Sequence, residues 1–230
     1  MKRFYKQVAA EAADGGFAIR LDDRPVRTPK RAPLALPTSA LAHAVAAEWD
    51  AQGDDVDPRS MPLTGLSNAA IDHVMPDPAG FIATIAAYAE TDLLCYRAEH
   101  PDSLVALQAR SWDPIPNWAR QRYAVDFTVT SGILHKPQPF ETVSRLATAI
   151  GERSPFQLAG FQPLVTISGS LVIALALADG WIDARAAFDA AHLDEIWQAE
   201  NWGEDDWATR MRDDHRRDFE VAARFLALLV

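Results

Sequence analysis

The sequence predicts an α+β fold, with a small β-rich N-terminal domain containing one helix (residues 1–58) and a larger all-helical domain (residues 59–230). Before residue 37, apolar residues alternate over short runs broken by prolines, which is typical of short or edge strands. Beyond residue 37 they recur every three or four positions, as on the buried face of a helix. The proline- and aspartate-rich stretch 54–62 is the best candidate for a linker between the domains.

A β-hairpin is predicted near the start of the chain. Phe17, Ile19 and Leu21 alternate with less apolar residues, which indicates a half-buried strand. Asp22 and Asp23 follow directly, and short aspartate turns tolerate the left-handed backbone that tight hairpins need. We therefore expect the chain to reverse at this pair.

The helices are predicted from their caps and breaks. Thr38 precedes the first helical run as an N-cap, and Asp77 followed by Pro78 opens a later helix. Pro163 and Gly169 interrupt one long apolar run, so that helix should be kinked or divided. Helices are further predicted over residues 103–112, 116–123, 140–150, 155–178, 183–201 and 204–229.

Composition excludes several classes of protein. With 49% hydrophobic and 23% charged residues, the 230-residue chain should bury a globular core. Its net charge of −10 argues against binding to nucleic acid or to an anionic membrane. The single cysteine, Cys95, cannot form an internal disulfide, which suits a reducing compartment. Glu11 and Asp14 interrupt the apolar stretch that a signal peptide needs, so we expect no signal peptide. A start at Met1 without a transit peptide favours a bacterial cytoplasmic protein.

Charge is distributed unevenly along the chain. Residues 1–31 carry eight basic and four acidic side chains, a surplus of +4, whereas residues 179–230 carry six basic and thirteen acidic ones, a surplus of −7. Such asymmetry favours a charged protein partner, since complementary fields speed encounter and reject wrong partners. Simple solubility is the alternative explanation.

Motifs for catalysis are absent from the sequence. No glycine-rich phosphate loop and no nucleophile elbow occurs, and Cys95 lies among apolar residues typical of a core. The residues therefore show no active site, and we expect neither a bound cofactor nor a bound metal. One alternative remains open, a metal-dependent hydrolase built on His192, Glu195 and Glu200, because a histidine and a glutamate three residues apart resemble half of a metal site.

The predicted helix 183–201 carries a carboxylate where its pattern calls for an apolar residue. Leu193, Ile196 and Trp197 form an apolar stripe, and helical spacing places Glu200 on the same seam. A carboxylate beside tryptophans would suit an incoming cationic surface. An internal ion pair with an arginine is the alternative reading.

Seven segments carry a resemblance to a known family. They are Arg3–Lys6, Leu21–Pro29, Glu48–Gln52, Met61–Thr64, Glu90–Arg97, Trp112–Pro114 and Gln198–Gly203, in this order. Together they resemble the Atp-twelve (Atp12) family, assembly chaperones that bind the alpha subunit of the soluble catalytic head of ATP synthase. Asp23 departs from the family's hairpin, where glycine is expected, which leaves the type of turn open.

The resemblance implies a chaperone rather than an enzyme, acting in the bacterial cytoplasm or, in eukaryotic relatives, the mitochondrial matrix. It implies that the chain binds an unassembled alpha subunit and shields its beta-facing interface until the beta subunit displaces the chaperone. Acidic residues of the family's C-terminal domain are implicated in function, and by position they fall here on Glu195 and Glu200.

A binding surface follows as a hypothesis. The carboxylates of Glu195, Glu200 and Glu204 would meet cationic groups of the alpha subunit, and Trp197 or Trp202 would supply apolar contact. A generic acidic adaptor, without preference for the isolated alpha subunit, is a further alternative.

Overall fold

The computed structural model describes residues 1–132 and 134–230, and it has the predicted α+β fold. By proximity of Cα atoms the chain divides into two compact units. The first unit comprises Met1–Pro78, Ser154–Gly160 and Arg224–Val230, and the second comprises Ala79–Arg153 and Phe161–Ala223. A boundary between independently folding domains after residue 58 stays a prediction.

The first unit contains a four-stranded antiparallel sheet with β2 (Gly16–Leu21) at its centre. β1 (Val8–Ala13) pairs with one edge of β2, and both β3 (Arg24–Pro25) and β4 (Ala35–Leu36) pair with the other edge. Asp22, in the turn between β2 and β3, has a φ of 52°. The predicted hairpin is therefore confirmed, and its prolines lie in short strands and turns because they cannot donate to a ladder.

Helix α1 (Ser39–Asp50) follows the sheet. Thr38 Oγ1 accepts a hydrogen bond from Leu41 N at 3.2 Å, which confirms the predicted N-cap. Trp49 of α1 packs against a core cluster of the first unit. The cluster consists of Tyr5, Leu21, Val56 and Met61. Two of these residues fall within the stretch 54–62, so its interpretation as a linker is wrong: its apolar residues are part of a core.

Helix α2 (Pro62–Ala69) was not predicted, since it is short and directly follows the proline-rich stretch. It continues into a π-helical turn, Ala70–Val74, which contains the buried Asp72. The Asp72 carboxylate accepts hydrogen bonds from Thr28 Oγ1 at 2.6 Å and from Lys30 N at 2.9 Å. The turn thereby holds the segment that joins β3 to β4.

The remaining helices belong wholly or largely to the second unit. They are α3 (Pro78–Ala86), α4 (Asp102–Trp112), α5 (Pro114–Tyr123), α6 (Phe140–Gly151), α7 (Pro155–Ser168), α8 (Leu171–Ala178), α9 (Ala184–Ala191), α10 (Leu193–Trp202) and α11 (Asp206–Ala227). Two short parallel strands, β5 (Tyr96–Arg97) and β6 (Thr130–Ser131), pair in the same unit. Among the described residues, no helix has the length and apolarity needed to cross a membrane.

Two of the predicted helices are divided. The run 155–178 breaks at Gly169, whose φ is 64°, into α7 and α8, as its proline and glycine predict. The run 183–201 was predicted as one helix, which is wrong, since α9 and α10 are separated at His192. The backbone of His192 is not helical. Its ring is buried, and Nδ1 lies 3.1 Å from the carbonyl oxygen of Phe188. The same carbonyl oxygen also accepts from His192 N at 3.0 Å, so the ring adds a second contact at the end of α9.

The second unit contains a buried carboxylate, Asp92, at the N-terminus of α8. Its Oδ1 accepts hydrogen bonds from Ser170 Oγ at 2.7 Å and Leu94 N at 3.1 Å, and its Oδ2 accepts one from Val172 N at 3.0 Å. Burial raises the pKa of Asp92 to about 6, although these hydrogen bonds act in the opposite direction. Asp92 thereby satisfies the amide of Val172 in the first turn of α8, a helix with six of its eight residues buried.

We expect Asp92→Ala to lower the free energy of unfolding by about 2–4 kcal/mol, because it leaves several buried donors without an acceptor. Urea denaturation measures this loss. A cost below about 0.5 kcal/mol, within the range of ordinary surface substitutions, would contradict the capping role.

Asp92 should also make stability depend on pH. Because its pKa is raised in the folded state, its contribution is fully present below the ordinary carboxyl pKa and is lost as pH rises towards about 6. Asp92→Asn removes this titration. The other titratable groups are the same in both proteins, so their contributions cancel when the two unfolding free energies are subtracted at each pH. We expect the unfolding free energy of the unsubstituted protein to fall relative to that of Asp92→Asn between about pH 4 and pH 6. A constant difference over this interval would refute the expectation.

Candidate functional site

The predicted binding residues lie on α10 and on the connection to α11. Gly203, with a φ of 94°, ends α10, in the left-handed region that favours glycine. Asp205 then caps α11, since its Oδ1 accepts hydrogen bonds from Trp207 N at 3.0 Å and Ala208 N at 2.9 Å. These two caps determine the direction in which the short connection presents its side chains.

Only the first part of α10 is buried. Leu193 is buried, Ile196 and Trp197 are half-buried, and Glu200 is exposed. Glu200 shares the helix face of Ile196 and Trp197, as its spacing predicts, but that face is no longer covered where Glu200 lies. Contacts of α10 with α4 and α9 cover its N-terminal turns, and the ten-residue helix has passed beyond this packing when it reaches Glu200. An internal partner is also missing, because Glu200 forms no hydrogen bond or ion pair with the described residues.

Two tryptophans on either side of the connection are mostly in solvent. Trp202 is 73% exposed and Trp207 is 68% exposed. The ring of Trp202 meets that of Trp197 edge to face, with centroids 5.4 Å apart. Met211, four residues beyond Trp207 on α11, is exposed as well. Trp207 and Met211 were missed by sequence reasoning, although their helical spacing places them on one face.

A shallow pocket of about 260 Å³ lies between the end of α10 and the start of α11. Its lining residues are Glu195, Gln198, Ala199, Trp202, Gly203, Asp205, Ala208, Thr209 and Arg212. It therefore brings together two of the predicted residues, Glu195 and Trp202. Glu204 lies beside it and accepts from Arg212 Nη2 and Thr209 Oγ1, both at 3.3 Å.

The charges around this pocket are predominantly negative. Glu195 and Glu200 form neither a hydrogen bond nor an ion pair within the described part of the chain, and Asp206 adds a third such carboxylate. Arg212 is the cation in the pocket lining, but its side chain is only 13% exposed and is paired with Glu204. We call these exposed tryptophans and unpaired carboxylates, namely Glu195, Glu200, Trp202, Asp206 and Trp207, the tryptophan–carboxylate surface.

The arrangement does not favour a metal-dependent hydrolase. His192 is buried and stacked on Phe188, with ring centroids 3.9 Å apart, and burial lowers its pKa. Among residues 1–132 and 134–230, no group of three histidine, cysteine, aspartate or glutamate side chains could hold a metal ion. Cys95 is buried, as predicted, and burial raises the pKa of its thiol to about 12, which leaves it unsuited as a nucleophile.

Comparison with known proteins gives consistent matches. The model of the ATP12 chaperone protein family matches residues 2–120. Protein atp12, mitochondrial, of Schizosaccharomyces pombe is 26% identical over 98% of this chain and 80% of its own length. The crystal structure of Atp12 from Paracoccus denitrificans is 39% identical, with a TM-score of 0.96, over 100% of this chain and 98% of that one. A point mutant of the same protein has a TM-score of 0.97 at 38% identity, with the same coverage.

Trp202 and Trp207 should contribute little to stability. We expect Trp202→Ala or Trp207→Ala to lower the unfolding free energy by less than about 1 kcal/mol, because both rings are mostly hydrated in the folded protein. Trp112→Ala serves as the comparison: that ring is 1% exposed and its Nε1 donates to Ala190 O at 2.8 Å. Its loss should cost about 3–5 kcal/mol. Equal losses for exposed and buried tryptophans, measured by denaturant unfolding, would contradict this assignment.

Proposed function

Because the chain belongs to the ATP12 chaperone family, which serves ATP synthase assembly, we propose that its client is the unassembled alpha subunit of the enzyme's soluble catalytic head. The alpha subunit is the client that the sequence resemblance implies. Binding would cover the interface that alpha later presents to beta, and it would end when beta competes for the same interface. No catalytic step is required, so we propose a binding protein rather than an enzyme.

The observation that carries the proposal is the tryptophan–carboxylate surface. Exposed tryptophans are costly to leave in water and are enriched at the energetic centres of interfaces. Trp202 and Trp207 flank the connection between α10 and α11. Of the carboxylates near this connection, Glu204 pairs with Arg212, and the others have no cationic partner within the described residues. A partner that offers apolar area together with arginine or lysine side chains would satisfy both features.

Shielding has a direct physical benefit. A subunit that awaits its neighbours exposes apolar area, which promotes aggregation until it is covered. Glu195, Glu200 and Glu204 would orient this client through its cationic groups, and Trp197 and Trp202 would supply apolar contact. Electrostatic attraction adds encounter rate and specificity, whereas the aromatic rings add affinity.

We propose action in the bacterial cytoplasm, which suits a chain whose one cysteine is reduced and buried. A generic acidic adaptor would use the same surface, but it would bind isolated alpha and preassembled alpha–beta complex equally well. Preference for free alpha therefore distinguishes a chaperone from an adaptor.

Charge reversal on α10 should weaken client binding. We expect Glu195→Lys and Glu200→Lys each to reduce the affinity for isolated alpha subunit by about five- to tenfold at low salt, because each replaces attraction by repulsion. The effect should shrink as added salt screens exposed charges. Co-purification and titration calorimetry with isolated alpha measure it, alongside preassembled alpha–beta complex.

Glu220→Lys is the matched control. Glu220, on α11, is also an exposed glutamate, and it forms no ion pair with any residue that the structure describes. This variant changes the net charge equally and should retain binding. Loss of binding in all three variants would indicate a bulk charge effect. Unchanged binding by well-folded Glu195→Lys and Glu200→Lys would refute the assigned surface, and equal capture of alpha and of alpha–beta complex would favour the adaptor.

A further inference from the structure

Positive charge is concentrated in strand β3 and in the first part of the connection from β3 to β4. Residues 24–31, which we call the basic loop, contain Arg24, Arg27, Lys30 and Arg31, and all four are exposed. Within the part of the chain that the structure describes, none of the four forms an ion pair with a carboxylate. Such a cluster is unusual in a chain whose net charge is −10.

Hydrogen bonds to Asp72 hold the loop in place. Thr28 Oγ1 donates to Asp72 Oδ1 at 2.6 Å, Lys30 N donates to Asp72 Oδ2 at 2.9 Å, and Lys30 Nζ donates to the Asp72 carbonyl oxygen at 2.8 Å. Thr28 also closes the turn, since its carbonyl oxygen accepts from Arg31 N at 2.8 Å and its amide donates to Ala32 O at 2.9 Å. Pro25 and Pro29, both within the loop, further limit its backbone freedom.

Asp72 supports the loop without cancelling its charge. Its carboxylate is buried and engaged by Thr28 and by a backbone amide, so residues 24–31 together with Asp72 carry four positive charges and one negative one. Counting the exposed Asp22 and Asp23 beside the loop leaves a surplus of +1. Asp22, which precedes the loop, accepts instead from the backbone amides of Lys6 and Gln7, at 3.0 and 2.9 Å. The guanidinium groups of Arg24 and Arg31 accordingly have no acceptor within the described residues.

Unpaired arginines on a loop whose backbone is held by hydrogen bonds favour a specific anionic partner. Guanidinium groups bind carboxylates through paired hydrogen bonds, and a preordered loop loses little entropy when it does so. A membrane or a nucleic acid fits less well, because both are extended polyanions that would repel a chain with a net charge of −10. A short acidic segment of a protein is the occupant that this local charge suits.

We propose that the basic loop is a second docking surface, which binds an acidic segment of the same unassembled alpha subunit. This inference rests on the proposed function. The client would then meet positive charge on the first unit and negative charge on the second. Two surfaces of opposite sign admit one orientation of the client and penalise the reverse one, which is specificity through repulsion as well as attraction.

The double variant Arg24→Glu/Arg31→Glu tests the proposal. Neither side chain forms a hydrogen bond or an ion pair within residues 1–132 and 134–230, so folding should be preserved, as thermal unfolding can establish. We expect the affinity for isolated alpha subunit to fall about tenfold or more at low salt, and the loss to diminish at high salt. Lys2→Glu/Lys136→Glu is the matched control, because it reverses two exposed lysines outside the loop with the same change in net charge.

The outcomes separate this inference from the proposed function. If the unsubstituted protein fails to capture alpha, the proposed function itself fails. If it captures alpha and the loop variant binds as tightly as the control, the basic loop is not a docking surface. Binding of the unsubstituted protein to vesicles of equal parts phosphatidylserine and phosphatidylcholine, abolished in the loop variant, would overturn an acidic protein segment as the occupant.

Zero-length crosslinking locates the partner segment. Arg31→Lys keeps the positive charge and supplies an amine that carbodiimide can couple to a carboxylate within contact distance. We expect coupling of this lysine to aspartate or glutamate residues of the alpha subunit, identified by mass spectrometry of the complex. Coupling confined to carboxylates of the chaperone itself would contradict the proposal.

Discussion

Helix α8 is apolar on every side, and this constraint organises the second unit. Six of its eight residues, from Leu171 to Ala176, are buried, so neighbouring elements have to surround it. Packing can cover side chains, but it cannot satisfy the amide groups at the start of the helix. Asp92 and Ser170 do so, and the left-handed backbone at Gly169 separates α7 from the residue that caps α8. The break, the cap and the buried carboxylate are thus consequences of one requirement.

The tryptophans show how the same residue type serves two purposes. Trp112 is enclosed and hydrogen-bonded, as a core residue is, whereas Trp202 and Trp207 are largely in solvent beside a short connection. Rings in that position do not stabilise the core, and their hydration is unfavourable in the free protein. Their exposure is understandable if a partner completes their burial, which agrees with a chaperone that covers a client.

Electrostatics distinguish the two units in a comparable way. The basic loop of the first unit and the acidic end of α10 in the second both leave charges without internal partners, although each is built on well-capped backbone. Exposed pairs contribute little to stability, so their omission costs the fold almost nothing. The unpaired charges remain available for an external partner, and their opposite signs can specify how it binds.

Local patterns were sufficient for the fold class, the hairpin at Asp22, the cap at Thr38 and the division at Gly169, because each depends on residues close in the chain. They failed for α2 and for the core role of Val56 and Met61, because burial there depends on residues that are distant in the sequence. They also missed the break at His192, whose ring contacts the carbonyl oxygen of Phe188 four residues earlier, a local contact that hydrophobic periodicity does not reveal. The candidate site divides in the same manner. The resemblance indicated Glu195, and the sequence also suggested Trp202; both line the pocket, whereas Trp207 was overlooked. Helical spacing placed Glu200 on the face of Ile196 and Trp197, but that face is exposed at Glu200. A periodic pattern states which residues share a face of a helix, whereas the length over which that face is covered depends on the neighbouring helices, which lie far away in the sequence.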